Sequence, residues 1–289
     1  MTTILDGRKL AQRIQEELKA KVEKLHERKP GLAFILVGSN AASLSYVGMK
    51  KKACTYVGIH SFVIHLPADT SEYSLLEEIA KCNSDPLIDG ILVQMPLPPH
   101  IHTPRITLCI DPDKDVDGFH PINMGKLLLG YEDGFIPCTP NGIHTLLQKN
   151  NLSVEGKHAV IIGRSNIVGK PLAAILMQKK SGCNATVTVA HAATRNLQEI
   201  TRTADLLVAA LGQPKFVTKD MVKPGAIVID VGINKIYDAE GRPTILGDVD
   251  FEQVAPLASH ITPVPGGIGP MTIAMLLKNT WDSFVNRRS

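Results

Sequence analysis

A tyrosine and a lysine are spaced so that they share one face of a predicted helix. Tyr46 and Lys50 are four residues apart in the helix predicted for Ser43–Val57, and side chains at i and i+4 are neighbours on a helix surface. A lysine amine can carry protons, so the pair is a candidate site. The alternative is a solvent-facing lysine cluster with a half-buried tyrosine, because Lys51 and Lys52 follow directly.

Two further polar candidates are Gln94, at the end of a predicted strand, and Asp117, in a later polar run. Gln94 ends a strand predicted for Ile88–Gln94, and open α/β sheets bind ligands at the carboxyl ends of their strands. Asp117 is the last of four alternating aspartates in the run DPDKDVDG (residues 111–118), which lacks the glycine and glutamate that continue a calcium loop. We therefore expect no metal site there. A carboxylate offers two acceptor oxygens to a ligand with adjacent N–H donors.

A glycine-containing loop in the second half of the chain is typical of nucleotide binding. Residues 158–173 (HAVIIGRSNIVGKPLA) predict a strand, a loop and a helix, with Gly163 directly after the strand and Gly169 close to the helix start. Backbone N–H groups and a helix N-terminus can then face a pyrophosphate. The spacing is not G-x-G-x-x-G, and a tight turn without a ligand is the alternative.

The strand that follows this loop bears on the choice of cofactor. A site for NAD usually has an acidic residue at the end of its second strand, which binds the ribose 2′-hydroxyl. Residues 185–194 (ATVTVAHAAT) contain no acid, and Arg164 lies in the preceding loop. A missing carboxylate and an available guanidinium favour the 2′-phosphate of NADP, whereas a solvated loop cation is the other interpretation of Arg164.

Composition excludes several classes of protein. The chain has 289 residues, of which 44% are hydrophobic and 20% charged, and 31 basic and 28 acidic residues give a net charge of +3. This balance and the low aromatic content of 4% argue against a nucleic-acid-binding protein. The five cysteines have no C-x-x-C spacing, which is typical of reduced thiols in the cytoplasm. We expect no signal peptide and no membrane span.

Elements alternate along the chain as in a mostly parallel α/β protein. Ser74 and Glu77 predict a capping box at one helix start. Residues 96–140 contain eight prolines and interrupt the rhythm, so the boundary between two domains is predicted there. Strands are predicted at residues 31–37, 59–66, 88–94, 158–162, 186–191, 206–211 and 226–231. Helices are predicted at residues 7–28, 43–57, 74–83, 139–150, from 171, 196–203 and 271–287.

Six motifs in order resemble one family over nearly the whole chain, the bifunctional methylenetetrahydrofolate dehydrogenase/methenyltetrahydrofolate cyclohydrolases. The motifs are Tyr46-x-x-x-Lys50 with Lys52, VQMPLP (93–98), KDVDG (114–118), PCTP (137–140), GRSxxVGxP (163–171) and PVPGGIGPMT (263–272).

The resemblance implies an N-terminal α/β folate-binding domain and a Rossmann-type, doubly wound parallel-sheet domain with a cleft between them. The first would comprise residues 1–139, completed by a C-terminal helix at 271–289 that returns to it, and the second residues 140–270. The resemblance also implies a cytoplasmic homodimer that acts in one-carbon metabolism, in tetrahydrofolate interconversion and purine biosynthesis. Residues 226–231, or neighbouring strands, are candidates for the dimer interface.

The implied activity is oxidation of 5,10-methylenetetrahydrofolate with NADP, followed by hydrolysis to 10-formyltetrahydrofolate. Lys50 would relay protons, Gln94 would orient it, Tyr46 would stack on the pterin and Asp117 would accept its hydrogen bonds. Other substrate-binding residues would be Met95, Pro265 and Gly266. Cofactor-binding residues would be Thr139, Gly163, Arg164, Ser165, Ile233 and Thr272.

The chain departs from the family after the second strand of the predicted Rossmann domain. The family commonly has a serine and a cation where this chain has Ala192 and Ala193, so partial use of NAD is a hypothesis beside the NADP prediction. Two other functions are alternatives to the bifunctional folate enzyme. One is a shikimate-type dehydrogenase, which does not require VQMPLP or PGGIGP, and the other is a folate or nucleotide sensor that binds without turnover.

Overall fold

Two parallel sheets organise the computed structural model of the chain, which describes residues 1–237 and 242–288. Clustering of contacts divides it into two units. The six-stranded unit comprises Met1–Ala11 and Thr139–Thr272, and the three-stranded unit comprises Gln12–Cys138 and the chain from Ile273 onward. The boundary at residues 272 and 273 falls inside the last helix.

The elements are as follows in chain order. The strands are β1 (Thr3–Ile4), β2 (Gly31–Val37), β3 (His60–Leu66), β4 (Gly90–Val93), β5 (His158–Ile162), β6 (Thr186–Ala190), β7 (Leu206–Ala209), β8 (Ile227–Asp230), β9 (Asn234–Tyr237), β10 (Pro243–Leu246) and β11 (His260–Ile261). The α-helices are α1 (Gly7–Glu23), α2 (Ala41–Val57), α3 (Glu72–Ser84), α4 (Thr103–Cys109), α5 (Pro121–Leu129), α6 (Cys138–Lys149), α7 (Gly169–Leu176), α8 (Leu197–Thr201), α9 (Phe251–Val254) and α10 (Ile268–Asn286).

The three-stranded sheet has the order β3-β2-β4, and both pairings are parallel. All seven residues of the central strand β2 are buried, as expected for an apolar run covered on both faces. The edge strand β3 alternates between exposed and half-buried residues. Apolar side chains from α3 and α4 pack on this sheet, among them Leu75, Ile79 and Ile106.

The six-stranded sheet has the order β1-β11-β8-β7-β5-β6, and every pairing is parallel. Strands β7 and β8 are buried along their whole length, and β5 is buried except at His158. Strands β9 and β10 form a separate antiparallel pair. Because β8 lies inside the sheet and is fully buried, the expectation that residues 226–231 supply a dimer interface is wrong for that strand.

The start of the chain belongs to the six-stranded unit. Strand β1 pairs with β11, with Thr3 opposite His260, and Arg8 N donates to Gly266 O at 2.8 Å. The division expected from the sequence, residues 1–139 and 271–289 against 140–270, thus differs from the observed one at residues 1–11, 139 and 271–272, all of which belong to the six-stranded unit. A two-residue strand carries no hydrophobic alternation that could have predicted this pairing.

Three helices in the first half, α3, α4 and α5, differ from the prediction made from the sequence. The proline-rich stretch contains α4 and α5, each with proline in its first turn, where a missing N–H costs nothing. The prediction that this stretch interrupts the regular elements is therefore wrong at α4 and α5. Helix α3 begins at Glu72 because Ser71 Oγ accepts from Ser74 N at 3.0 Å, so the predicted capping box at Ser74 and Glu77 is also wrong.

A buried aspartate holds the C-terminal helix on the three-stranded unit. Asp89 is fully buried, its carboxylate accepts two hydrogen bonds from Arg28 at 2.6 and 2.7 Å, and Gly31 N donates to it at 2.8 Å. On α10, Ser283 Oγ donates to the Asp89 carbonyl at 2.6 Å, and Arg287 lies 3.7 Å from the carboxylate just after the helix. The predicted return of the C-terminal helix to the first domain is confirmed.

No helix among residues 1–237 and 242–288 has the length and apolar character needed to cross a membrane.

We predict that Asp89→Ala lowers the free energy of unfolding by about 2–3 kcal/mol, because two guanidinium groups and the Gly31 N–H lose their buried acceptor. Urea unfolding followed by circular dichroism would measure the change. Asp282→Ala is the matched control on α10, since Asp282 pairs with Lys278 at the exposed surface and should cost less than about 0.5 kcal/mol. Equal shifts of the two variants would contradict the role of Asp89.

Candidate active site

The topology of the three-stranded sheet places a crevice at the carboxyl ends of β2 and β4. The chain leaves β2 to form β3 on one side and later adds β4 on the other side. Ligands of open α/β sheets bind at such a point, where the strand order reverses. Helix α2 follows β2, and Gln94 follows β4, with Gln94 N donating to Ile35 O at 2.8 Å. The sheet therefore positions both elements that carry candidate residues.

Lys50 and Gln94 are in direct contact. Lys50 Nζ donates to Gln94 Oε1 at 3.0 Å, and Gln94 Nε2 donates to Met95 O at 2.8 Å. These two bonds define the orientation of the amide, because its oxygen faces a donor and its nitrogen faces a carbonyl. Gln94 thus fixes the position of the lysine amine. Tyr46 lies one turn earlier on α2 and is half-buried, and burial raises the pKa of its phenol.

Asp117 lies within electrostatic reach of the same lysine. Its carboxyl group is half-buried, and burial raises its pKa while the charge of Lys50 opposes that shift. Asp117 and Met95 also line one recess of the three-stranded unit, which is otherwise largely apolar. The other lining residues are Ile91, Val93, Ile106, Thr107, Ile110, Asp115 and Phe119. With a cavity volume of about 10 Å³ this recess is too small for a ring, and Tyr46, Lys50 and Gln94 do not line it. The Asp117 carboxylate can accept hydrogen bonds from a ligand with adjacent N–H donors.

Asp115 shapes the turn that carries Asp117, a role that the sequence analysis missed. Its buried carboxylate accepts from His120 N at 2.8 Å, from Asn123 Nδ2 at 2.9 Å and from Phe119 N at 3.3 Å. Burial outweighs these bonds and raises the pKa of Asp115 to about 6. The alternation of aspartates in the sequence did not show which of them is buried.

Two buried polar side chains fix the rest of this loop. Lys114 Nζ donates to the carbonyls of Cys82, Asn83 and Asp85 at 2.6–2.9 Å, at the end of α3, and burial lowers its pKa. On α10, the Asn279 amide donates to the carbonyls of Val116 and Ile136 at 2.9 and 3.1 Å. Asn279 was also missed, although an asparagine within an apolar helix face is a signal in itself.

The six-stranded sheet has its own reversal of strand order, between β5 and β7. Gly163 follows β5 with φ +138°, a conformation that favours glycine. A Cβ there would collide with the carbonyl of Ala210 after β7, and a Cβ on Gly169 would collide with the carbonyl of Gly163. The two glycines thus let three backbone segments approach closely and leave the loop open above β5.

Arg164 and Ser165 occupy that loop. Ser165 Oγ accepts from Val168 N at 3.1 Å, at the start of the largely buried helix α7, while the Arg164 side chain is exposed. An exposed guanidinium beside a helix N-terminus suits a phosphate group. Strand β6 ends at Ala190, and Ala192 and Ala193 after it are exposed. The chemistry of these residues fits an anionic dinucleotide.

Three other candidate residues for the cofactor come together at the start of α10. Thr139 Oγ1 and Thr272 Oγ1 are 2.9 Å apart. The half-exposed Ile233 side chain lies beside Gly269, one turn before Thr272, since a Cβ on that glycine would be 3.5 Å from Ile233 Cδ1. All three belong to the six-stranded unit.

Pro265 and Gly266, predicted to bind substrate, belong to the six-stranded unit, whereas Tyr46, Lys50, Gln94, Met95 and Asp117 belong to the three-stranded unit. Gly266 has φ +110°. Within the described ranges, 1–237 and 242–288, there is no group of three or more His, Cys, Asp and Glu side chains that could hold a metal ion.

Comparison with known proteins decides the family. A family model described as tetrahydrofolate dehydrogenase/cyclohydrolase, catalytic domain, matches residues 5–117, and the corresponding NAD(P)-binding domain matches residues 137–288. The chain belongs to the tetrahydrofolate dehydrogenase/cyclohydrolase family. The "Bifunctional protein FolD" of Protochlamydia amoebophila is 58% identical over 283 residues, which are 97% of each chain.

Solved structures of the tetrahydrofolate dehydrogenase/cyclohydrolase family agree. The bifunctional FolD methylenetetrahydrofolate dehydrogenase/cyclohydrolase of Campylobacter jejuni is 51% identical with a TM-score of 0.94, over 99% of this chain and 100% of that one. The Trypanosoma brucei enzyme, solved with NADP cofactor and an inhibitor, is 37% identical with a TM-score of 0.93, over 99% and 98% of the chains. The predicted family, fold class and cofactor are confirmed, and the shikimate-type alternative is excluded.

The buried Asp115 of this family member predicts a dependence of stability on pH. Its pKa is about 6 in the folded chain against an ordinary 3.8, so between these values the folded state binds a proton that the unfolded state does not. The contribution of this group to the free energy of unfolding is therefore lost as pH rises through the pKa of the folded state, about 6. Compared with Asp115→Asn, the wild type should lose on the order of 2 kcal/mol between pH 4.5 and pH 7.5.

Urea unfolding of both proteins at these pH values would measure that difference. Asp113→Asn, at an exposed neighbouring aspartate, is the control and should leave the pH dependence as in the wild type. A difference between wild type and Asp115→Asn that stays constant with pH would contradict the assignment.

Proposed function

We propose that Lys50, Gln94 and Asp117 are the centre of a bifunctional enzyme that oxidises 5,10-methylenetetrahydrofolate with NADP and hydrolyses the methenyl product to 10-formyltetrahydrofolate. The observation that carries these assignments is the bond from Lys50 to Gln94 beside Asp117. The three-stranded unit would bind folate, and the six-stranded unit would bind the cofactor.

Binding of the pterin depends on Asp117 and Tyr46. The Asp117 carboxylate accepts hydrogen bonds from pterin N–H groups, and its partial burial strengthens such bonds because water competes less there. Tyr46 stacks against the ring. Together they fix the one-carbon unit in place, which reduces the entropy cost of reaction.

The dehydrogenase step needs positioning more than acid–base chemistry. Bound NADP accepts a hydride from the methylene carbon. The neighbouring nitrogen lone pair of the folate supports the cation that forms, so the chain supplies no general base for this step. Its side chains hold the substrate in the reactive orientation.

The hydrolase step depends on Lys50. Water adds to the methenyl carbon, and the amine of Lys50 takes the proton that the water loses. The proton then passes to the ring nitrogen whose bond to that carbon breaks. The hydroxyl group formed from water releases its remaining proton to solvent as its C=O bond forms, which leaves the formyl group on the other nitrogen. Gln94 keeps Nζ at the reacting carbon through the 3.0 Å bond.

Arg164 supports a preference for NADP over NAD. Its guanidinium is exposed in the loop after β5, and a 2′-phosphate offers it two acceptor oxygens. Ala192 and Ala193 cannot add a hydroxyl or a charge to that site, so we expect a modest preference. We further propose a cytoplasmic homodimer whose product supplies formyl groups in one-carbon metabolism, including purine biosynthesis.

We predict that Lys50→Met lowers the rate of methenyltetrahydrofolate hydrolysis by about 10²-fold or more, because the proton carrier is lost. The loss of methenyl absorbance measures this rate. Lys51→Met is the matched control, since Lys51 is exposed on the same helix, and should hydrolyse at the wild-type rate.

An unchanged affinity of Lys50→Met for NADP would show that the variant is folded. Hydrolysis by Lys50→Met at the wild-type rate would contradict the role of this residue.

We predict that kcat/KM with NADP exceeds that with NAD by about tenfold, and that Arg164→Ala reduces the ratio to near one, because a charge-assisted bond to the 2′-phosphate is worth about 1.5–3 kcal/mol. Initial rates of reduced cofactor formation with both cofactors measure the ratio. Lys170→Ala, at an exposed lysine after the loop whose amine binds Asn166, is the control. A preference for NAD in the wild type would overturn the assignment.

A further inference from the structure

Two buried aspartates of the six-stranded unit have no part in the chemistry described above. Asp230 ends β8 and is 3% exposed, and Asp248 follows β10 and is completely buried. Burial of a carboxylate is costly unless its oxygens accept hydrogen bonds. Almost all of the donors to these two carboxylates are backbone N–H groups, so each aspartate holds particular backbone segments in place.

Asp248 joins two loops that are distant in sequence. Its Oδ2 accepts from Leu211 N at 2.6 Å and Gly212 N at 2.9 Å, and its Oδ1 accepts from Gln213 N at 2.9 Å and Asn234 Nδ2 at 2.8 Å. Four donors occupy the acceptor positions of one carboxylate. The loop after β7 is thereby fixed to the first residue of β9.

Asp230 holds Asp248 in turn. Asp230 Oδ1 accepts from Asp248 N and from Gly232 N, both at 2.9 Å, and Oδ2 accepts from Val249 N at 2.9 Å. The rigid end of β8 therefore positions the backbone of Asp248, and the side chain of Asp248 positions the loop after β7. This connection runs through side chains that solvent does not reach.

Both loops held by Asp248 lie on one side of the cofactor site. Residues 211–213 directly follow Ala210, whose carbonyl is packed against Gly163, and Asn234 follows Ile233. In a Rossmann fold the adenosine half lies on the side of the second strand, here β6, and the nicotinamide half lies across the reversal of strand order. Strands β7 and β8 are on that second side.

We propose that Asp248 is a positioning residue that preorganises the nicotinamide side of the cofactor site by fixing residues 211–213 to Asn234. This rests on the proposed function, because it requires that the six-stranded unit bind NADP. Hydrolysis of methenyltetrahydrofolate depends on residues of the other unit. It does not require that Asp248 join residues 211–213 to Asn234.

Asp248→Asn tests this role, because an amide nitrogen replaces one oxygen and faces N–H donors that it cannot accept from. Calorimetry on the full-length chain would measure the Kd for NADP and for 2′,5′-ADP, which contains only the adenosine half. We expect the Kd for NADP to rise about tenfold, and the Kd for 2′,5′-ADP and the rate of methenyltetrahydrofolate hydrolysis to stay within about twofold of wild type.

Asp250→Asn is the matched control. Asp250 is a neighbouring buried aspartate whose carboxylate accepts from Gln253 Nε2 at 2.6 Å, within its own segment. We expect all three measurements to be unchanged in this variant.

Asn234→Ala keeps the test valid if Asp248→Asn fails to fold, because it removes only the side-chain bond to Asp248 at a half-buried position. It should weaken NADP binding by about threefold and leave 2′,5′-ADP binding unchanged.

Two results would overturn the proposal: unchanged NADP binding in both Asp248→Asn and Asn234→Ala, or equal weakening of NADP and 2′,5′-ADP. Wild-type chain that binds neither nucleotide would instead contradict the proposed function itself.

Discussion

A parallel sheet places the carboxyl ends of its strands at one edge, and both units of this chain depend on that constraint. Where the strand order reverses, neighbouring loops diverge and leave a crevice. In the three-stranded sheet the reversal lies between β2 and β4, and in the six-stranded sheet it lies between β5 and β7. Lys50 and Gln94 flank the first crevice, and Gly163 begins the second.

The loops at these edges are held by buried polar side chains as well as by apolar packing. Asp115 and Asn279 fix the turn that presents Asp117, and Asp248 fixes the loop after β7. A carboxylate or amide that bonds to backbone groups specifies the path of an irregular segment, because a displaced loop would leave a buried polar group unpaired. Catalytic loops can then be precise although they lie outside the sheets.

Most of the scaffold was predictable from the sequence because it is encoded locally. Strands β2 and β5 match their predicted bounds, since a buried parallel strand is a continuous apolar run. The chain's six motifs gave the family and the candidate residues. Helices α4 and α5 were missed because each is short and has proline in its first turn, and proline is equally common in loops. The roles of Asp115, Asp230 and Asp248 depend on burial and on distant partners, which sequence spacing does not contain.

The product balance of the wild-type chain with 5,10-methylenetetrahydrofolate and NADP tests the central claim most directly. Absorbance would follow NADPH and the methenyl compound, and chromatography would quantify 10-formyltetrahydrofolate. If Lys50, Gln94 and Asp117 act as described, one NADPH and one 10-formyltetrahydrofolate form for each substrate consumed, and the methenyl compound is transient. NADPH formed with stoichiometric accumulation of the methenyl compound, or no NADPH at all, would contradict the account.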